Sequence, residues 1–340
     1  MEIISTTDGV AWDEYVATRP DASGYHAWAW RGVFERAFGH GTEYLAAIEN
    51  GKVVGTLPLV LFRSPVFGRF AVSLPFVNYG GVCADREDVA RALVEEGAAL
   101  AARQKLSHVE LRHSSRQLPE LPAKQHKVAM LLPLQADAEK QWGALDRKVR
   151  NQVRKAEGSG LTTRVGGLGL LDQFYEVFSR NMRDLGTPVY AARFFREILT
   201  TFNDRAHVVI VESGSATAAA AIVLAHRGTL EVPWASSRRE FLAQCPNILL
   251  YWRIIQHGIE HGMTTLDFGR STPNEGTFRF KRQWGAEPQP LFWEYRLVGG
   301  NAPNDLSPKN PKFGSAIAVW KRLPLAVTNR IGPHIVRSIP

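Results

Sequence analysis

AHVVIVESGSATAAAAIVLAHRGTLEVPWASS, residues 206–237, reads as three strands in succession: AHVVIVES, ATAAAAIVLAHR and TLEVPWASS. Each is a short run of β-branched and small apolar residues, the composition that suits a pleated, buried surface. On the C-terminal side PNILLYWRIIQHGIEHG, residues 246–262, reads as a helix with Pro at its start and Gly at its end. MTTLDFGRS follows as a strand and PLFWEYRL, from Pro290, as a last strand. On the N-terminal side LLDQFYEVFSRNMRDLG and ARFFREILTTF read as two helices.

The first half carries the same kinds of element. EYLAAIE and KVVGTLPLVLFR are two strands joined by a tight Asn50-Gly51 turn, a strong hairpin signal. GRFAVSLPF is a third strand, REDVARALVEEGAALAARQ an amphipathic helix and SHVELRH a strand after it. Alternation of this kind predicts α/β (α+β) folding on mixed sheets. With 340 residues the chain is long for one domain and comfortable for two. We expect domains over 1–138 and 139–300, with a Pro-rich linker and a basic, apolar tail over 301–340.

Apolar residues make up 45% and charged residues 22%, so each half has the means to bury a core. Two cysteines, Cys83 and Cys245, form no disulfide framework and point to a reducing compartment. The N-terminus lacks the pattern of a signal peptide, and the longest apolar run, AAAAIVLA, is far short of the ~20 residues that a membrane span requires. The expected location is cytoplasmic. A net charge of +8 serves solubility or an anionic partner.

Between the halves, QWGALDRKVRNQVRKAEGSGLTTRV contains a basic amphipathic helix capped by Gly158, with Trp142, Leu145, Val149, Val153 and Ala156 on one stripe. It connects and packs, or offers its cations to a phosphate-bearing substrate. The tail contains Pro324 and Pro333 and is expected not to form one continuous helix. Docking onto the body is the favoured reading. The other is peripheral attachment at the inner face of a membrane.

The order helix, helix, three antiparallel strands, helix, strand, short helix, strand resembles that of GNAT acyltransferases. The second half carries LDFGRSTPNEGTFRFKRQWGAEP, residues 266–288. Two such halves, with that segment and with RKVRNQVRKAEGSGL, resemble the Fem family, enzymes that attach amino acids to peptidoglycan precursors and consist of two GNAT-like domains. The family segment Phe-Lys-x-x-aromatic-Gly is matched by Phe280, Lys281, Trp284 and Gly285. EVPWASS, CPNILLYW and DFGRSTP are similar to FemAB-related proteins of exopolysaccharide and PEP-CTERM/exosortase systems, and the chain is also similar to BioF2-like acetyltransferase domains. The long coiled-coil arm that the peptidoglycan enzymes often carry is not visible.

The resemblance implies tandem GNAT-like domains and acyl or aminoacyl transfer by direct amine attack, which needs orientation, proton removal and oxyanion stabilisation. No nucleophile motif is expected or seen. By the resemblance, Lys281 binds the acceptor. Its charge would pair with phosphate or with developing negative charge, walled by Phe280 and Trp284. On that reading Lys281→Ala abolishes transfer and leaves folding intact. Asp267 and Glu231 are the carboxylate candidates for proton removal; Asp267 equally suits a pair with Arg270 or a turn cap, and Glu231 equally suits a solvent-facing position. Arg270, Trp234, Ser236, Asn247 and Tyr251 are candidate substrate-binding residues, as is Tyr79 in the first half. RVGGLG, residues 164–169, fits the acetyl-CoA pyrophosphate pattern but precedes the first helix of the second half, the wrong place for that loop. In a chain with 29 glycines it reads as a chance match.

The sequence leaves the donor open, with acyl-CoA and aminoacyl-tRNA as the candidates that the resemblance implies. The acceptor is a nucleotide- or lipid-phosphate-linked glycan or peptide precursor, with contact to membrane-associated assembly machinery and none to DNA. The alternatives are an acetyl-CoA-dependent N-acetyltransferase and a non-catalytic double-GNAT scaffold. The histidines read as scattered, and no metal is expected.

Overall fold

The computed structural model describes residues 1–64, 67–299 and 314–339. In chain order the first elements are β1 (Glu2–Ser5), α1 (Gly9–Thr18), α2 (Trp30–Phe38), β2 (Gly41–Glu49), β3 (Lys52–Ser64), β4 (Gly68–Val72), β5 (Cys83–Ala84), α3 (Glu87–Arg103), β6 (His108–His113) and β7 (Ala123–Lys124). Then come β8 (Val128–Pro133), α4 (Ala138–Ala144), α5 (Arg147–Gly158), β9 (Leu161–Gly166), α6 (Leu171–Leu185), α7 (Ala192–Phe202), β10 (Ala206–Ser213), β11 (Ala216–His226) and β12 (Thr229–Ser237). The last are α8 (Pro246–Glu260), β13 (Thr265–Ser271), α9 (Gly276–Arg282), β14 (Glu287–Pro290), β15 (Phe292–Leu297), α10 (Gly314–Trp320) and α11 (Leu325–Val336).

The chain forms two compact units: Met1–Val128 with Pro290–Asn310 and Arg337–Pro340, and Ala129–Gln289 with Pro311–Val336. These bounds differ from a division at 138/139. Strand β8 joins the second sheet ahead of that point, and β15 goes back to the first. PLFWEYRL is therefore a strand, as expected, but it pairs antiparallel with β6, Tyr295 opposite Glu110, rather than closing the second half. A hydrophobic pattern specifies a strand's faces but not its partner. The expected linker over 301–314 lies, but for Gly314, outside the described residues.

The first sheet runs β1-β2-β3-β4-β6-β15-β7, with β5 on β3. Its hairpin turns at Asn50 and Gly51, φ 49° and 75°, the left-handed pair that a tight turn between twisted strands requires. Helix α3 presents Val89, Leu93 and Leu100 to Leu57, Leu59 and Leu111 in one core cluster. Among the described residues of this sheet only β4–β6 is parallel, over Ala71–Val72. GRFAVSLPF is a strand only to Val72. Beyond it the chain folds back over β6: Ser73 N donates to Glu110 O (2.9 Å) and Gly80 N to Arg112 O (2.8 Å).

The second sheet runs β14-β8-β13-β12-β11-β10-β9 and is antiparallel from β12 to β9. Phe174 and Phe178 of α6 and Phe195 of α7 meet with centroids 4.9–5.3 Å apart, and Trp234 of β12 stands edge-on to Phe194 and Phe195 at 5.4 Å. The expected single basic helix is two, α4 and α5, because the Asp146 carboxylate accepts from Lys148 N (2.7 Å) and starts a new helix. Val149, Val153 and Ala156 are buried as the stripe predicts. Arg147, Lys148, Arg154 and Lys155 are exposed. In the tail, Pro324 separates α10 from α11, whereas Pro333 lies inside α11, in its last turn, and does not break it. Helix α11 docks on the second unit: Asn329 Nδ2 reaches Ser179 Oγ at 3.4 Å, and Gly332 passes against the Val189 backbone. Among the described residues no helix is long and apolar enough to cross a membrane.

Candidate functional site

Strands β12 and β13 of the second sheet pair in parallel, and their ladder is only three residues long: Thr229, Leu230 and Glu231 opposite Thr265, Leu266 and Asp267. Beyond it β12 runs on to Ser237 and β13 to Ser271, with no further register between them. Against β11 the same place holds a bulge. Ile222 opposes Trp234 and Leu224 opposes Glu231, so Val232 and Pro233 both face Val223. An extra residue bends a strand and redirects the residues after it. Pro233 has no N–H to give to a ladder.

Glu231 and Asp267 are thus register partners at the point of parting, 3% and 0% exposed. The solvent-facing alternative for Glu231 is excluded. Asp267 Oδ1 accepts from Gly269 N at 2.7 Å, so the carboxylate does cap a turn. Gly269, φ 77°, supplies the left-handed backbone that turns the strand there.

Lys281 is buried, on the seven-residue helix α9. Its Nζ donates to Gly269 O (3.0 Å) and Arg270 O (2.9 Å). The ammonium therefore grips the main chain of the diverging strand, a role that the sequence did not reveal. Arg270 is half-buried. Tyr251 of α8 stacks on Phe268 at 5.1 Å and meets Phe280 at 5.2 Å, with Trp284 at 6.5 Å. Burial pushes the Tyr251 hydroxyl far above its ordinary pKa, so it acts as a neutral donor or acceptor. Ser271 Oγ and Trp284 Nε1 are buried and have no hydrogen-bond partner among the described residues. Neither was singled out for its polar atom, although both fall in the segment quoted for the resemblance.

Other expected residues lie apart from Lys281. Trp234 is core beside α7. Ser236 accepts from Asn181 Nδ2 of α6 (3.0 Å). Asn247 is half-buried in the first turn of α8, directly after the β12–α8 connection. Tyr79 belongs to the first unit, where it stands edge-on to Tyr25 at 5.4 Å. Arg164 of RVGGLG lies on β9, at the sheet's edge, and forks onto Glu212 at 2.8 and 2.9 Å.

The reading of scattered histidines needs correction. His257 and His261 are four residues apart around the end of α8, the His-x-x-x-His spacing, and with Glu260 they bring ligand atoms within 4.8 Å of one another. The spacing was visible in HGIEH, residues 257–261.

Residues 144–282 match the family model described as acetyltransferase (GNAT) domain. That span runs from the end of α4 through α9 and holds both carboxylates and Lys281. No curated protein matches the chain. Among solved structures, FemX is similar at 14% identity, covering 88% of this chain and 98% of that one, with a TM-score of 0.68. A tandem GNAT protein from the clavulanic acid biosynthesis pathway is similar at 13% identity, covering 88% and 99%, TM-score 0.53. The C-terminal domain of a putative lysylphosphatidylglycerol synthetase from Agrobacterium fabrum is similar at 15% identity, covering 83% and 90%, TM-score 0.56. The fold is that of two GNAT-like domains, each on a mixed central sheet, and the GNAT acetyltransferase match falls on the second of them.

Proposed function

We propose that the second unit transfers an acyl or aminoacyl group to an amine at the point where β12 and β13 part. The observation that carries this is the coincidence, within three residues, of the end of the parallel ladder, the bulge at Val232–Pro233 and two buried carboxylates in register. Backbone groups of β12 beyond Glu231 that face away from β11 have no β13 ladder to satisfy them, and buried main-chain N–H groups require an acceptor. A donor carbonyl seated there meets N–H groups already oriented toward the oxygen on which charge develops. Glu231 takes the proton of the attacking amine; as the tetrahedral adduct collapses, the new amide C–N bond replaces the donor's thioester C–S or ester C–O bond and the departing thiolate or alkoxide takes up that proton, while Asp267, held by Gly269 N, shapes the turn. Lys281 is a positioning residue that fixes β13 through the Gly269 and Arg270 carbonyls. Ser271 Oγ and Trp284 Nε1 are donors for the acceptor substrate.

In the first unit the corresponding parallel pair, β4–β6, is followed by the chain's own residues 73–80 bonded across β6, so the same opening is filled. This favours the second unit as the reacting one. The acceptor in this reading is the amine of a phosphate-linked cell-envelope or exopolysaccharide precursor. The net charge of +8 and the exposed cations of α5 support an anionic substrate.

The test is calorimetric titration with acetyl-CoA, aminoacyl-tRNA and nucleotide-linked amino sugars, followed by turnover with the donor that binds. One acyl donor is expected to bind. Glu231→Gln is expected to retain donor affinity and lose ~10²–10⁴-fold in kcat, the contribution of a positioned base. Binding of no donor refutes transfer and leaves the scaffold reading. Unchanged turnover in Glu231→Gln removes it as the base.

A further inference from the structure

Helix α8 ends in His257-Gly258-Ile259-Glu260-His261, with His261 at its C-cap. At 3.6 residues per turn, positions 257, 260 and 261 share one face. His257 is buried, whereas Glu260 and His261 are exposed, and their ligand-bearing atoms all lie within 4.8 Å of one another. The His257 and His261 rings are only 4.1 Å apart between centroids. His207 of β10 packs against both, 4.9 Å from His257 and 6.2 Å from His261, and its Nδ1 is buried without a hydrogen-bond partner among the described residues.

The His261 tautomer is fixed by geometry. Its Nδ1 lies 2.8 Å from the His257 carbonyl oxygen, which can only accept, so Nδ1 carries the proton and Nε2 the lone pair. A backbone carbonyl that holds one imidazole nitrogen orients the other for coordination. Glu260 Oε1 is held by Arg253 Nη1 at 2.7 Å, which leaves Oε2 for a ligand. The C-terminal end of a helix carries partial negative charge and favours a cation.

We propose that His257, Glu260 and His261 form a binding site for a borderline divalent transition-metal ion of the zinc class, with His207 forming its wall. Two imidazoles and a carboxylate suit zinc, cobalt or nickel and are a poor set for calcium or magnesium, which take oxygen ligands. Bonds of about 2.0–2.2 Å put tetrahedral ligands about 3.3 Å apart. The present separations, none above 4.8 Å, therefore close by about 1.5 Å at most, a movement available to the exposed Glu260 and His261 side chains. The site lies at the C-terminal end of α8, where His207 of β10 packs against it, so the ion stabilises the junction of α8 and β10.

The experiment uses the full chain without a histidine tag, stripped with EDTA and titrated with Zn²⁺ by calorimetry and with Co²⁺ by visible absorption. One ion per chain is expected, with a raised thermal midpoint and cobalt d–d bands. His261→Ala and Glu260→Gln change exposed side chains and are expected to keep the wild-type circular dichroism. Each should weaken the ion at least about tenfold, the loss that even changes beyond the direct ligands bring. His334→Ala, elsewhere in the chain, should leave it unchanged. Absence of a stoichiometric ion, or an affinity that His261→Ala and Glu260→Gln do not alter, overturns the site. Donor affinity is expected to be the same with and without metal, so the fate of this proposal is independent of acyl transfer.

Discussion

Replacing Lys281 with methionine separates the grip on β13 from simple space-filling. Methionine keeps most of the length and volume of the lysine stem and removes only the ammonium. In the wild type that ammonium donates to Gly269 O at 3.0 Å and Arg270 O at 2.9 Å. Hydrogen bonds to a charged group contribute roughly 1.5–3 kcal/mol each. Against their loss stands the desolvation cost of the buried ammonium, which methionine no longer bears. A net destabilisation of about 2–4 kcal/mol results, because the carbonyls remain without their donor. For a folding unit of this size that corresponds to about 4–16 °C in Tm. Urea unfolding followed by tryptophan fluorescence, with Trp284 three residues away as a local reporter, reads the effect directly. A Lys281→Met protein within about 0.5 kcal/mol of wild type, with an unchanged urea slope, would show that the two carbonyls do not depend on the ammonium. The expectation that loss of the lysine spares folding is therefore revised: loss of transfer and loss of stability are expected together, and Lys281→Ala should cost more than Lys281→Met because it also leaves a cavity.

Acid should weaken the first unit through His26. It is 6% exposed, its Nδ1 accepts from Ser23 N, and burial lowers its pKa from 6.5 to about 4. The unfolded chain then binds more protons between those values, so stability falls as pH drops from 6.5 toward 4, with a ceiling on the order of 3 kcal/mol. Urea midpoints of wild type and His26→Gln that run parallel across that window would exclude the histidine as the source. Arg164→Ala removes a half-exposed fork on Glu212 and should cost about 1 kcal/mol or less, with donor affinity unchanged; a large loss of donor affinity in titration would put the donor phosphate at RVGGLG. Gly332→Val should release the tail, because a Cβ there already comes within 3.0 Å of Val189 N, and overpacking of this kind costs about 1–3 kcal/mol. Faster limited proteolysis after α9 is the expected readout, and wild-type resistance would show that the contact yields.

Much of this protein was readable before folding. Asn50-Gly51 set the hairpin because only left-handed φ values close it, and the stripe of Val149, Val153 and Ala156 set the buried side of α5 because helical periodicity is local. The three strands from 206 to 237 and Pro246 at the start of α8 were legible for the same reason: each signal resides in neighbouring residues. HGIEH carried its metal-ligand spacing in plain view, but the third imidazole, His207, comes from a strand some fifty residues earlier, and no local pattern joins them. The exchange by which β8 enters the second sheet and β15 the first also escapes the sequence, since alternation fixes which face of a strand is buried and says nothing about which edge receives it. The same holds for Lys281. The sequence supplied a cation among aromatics, and only tertiary folding determined that its charge would meet two carbonyls of β13, because the β13 turn and α9 are brought together by packing rather than by spacing along the chain.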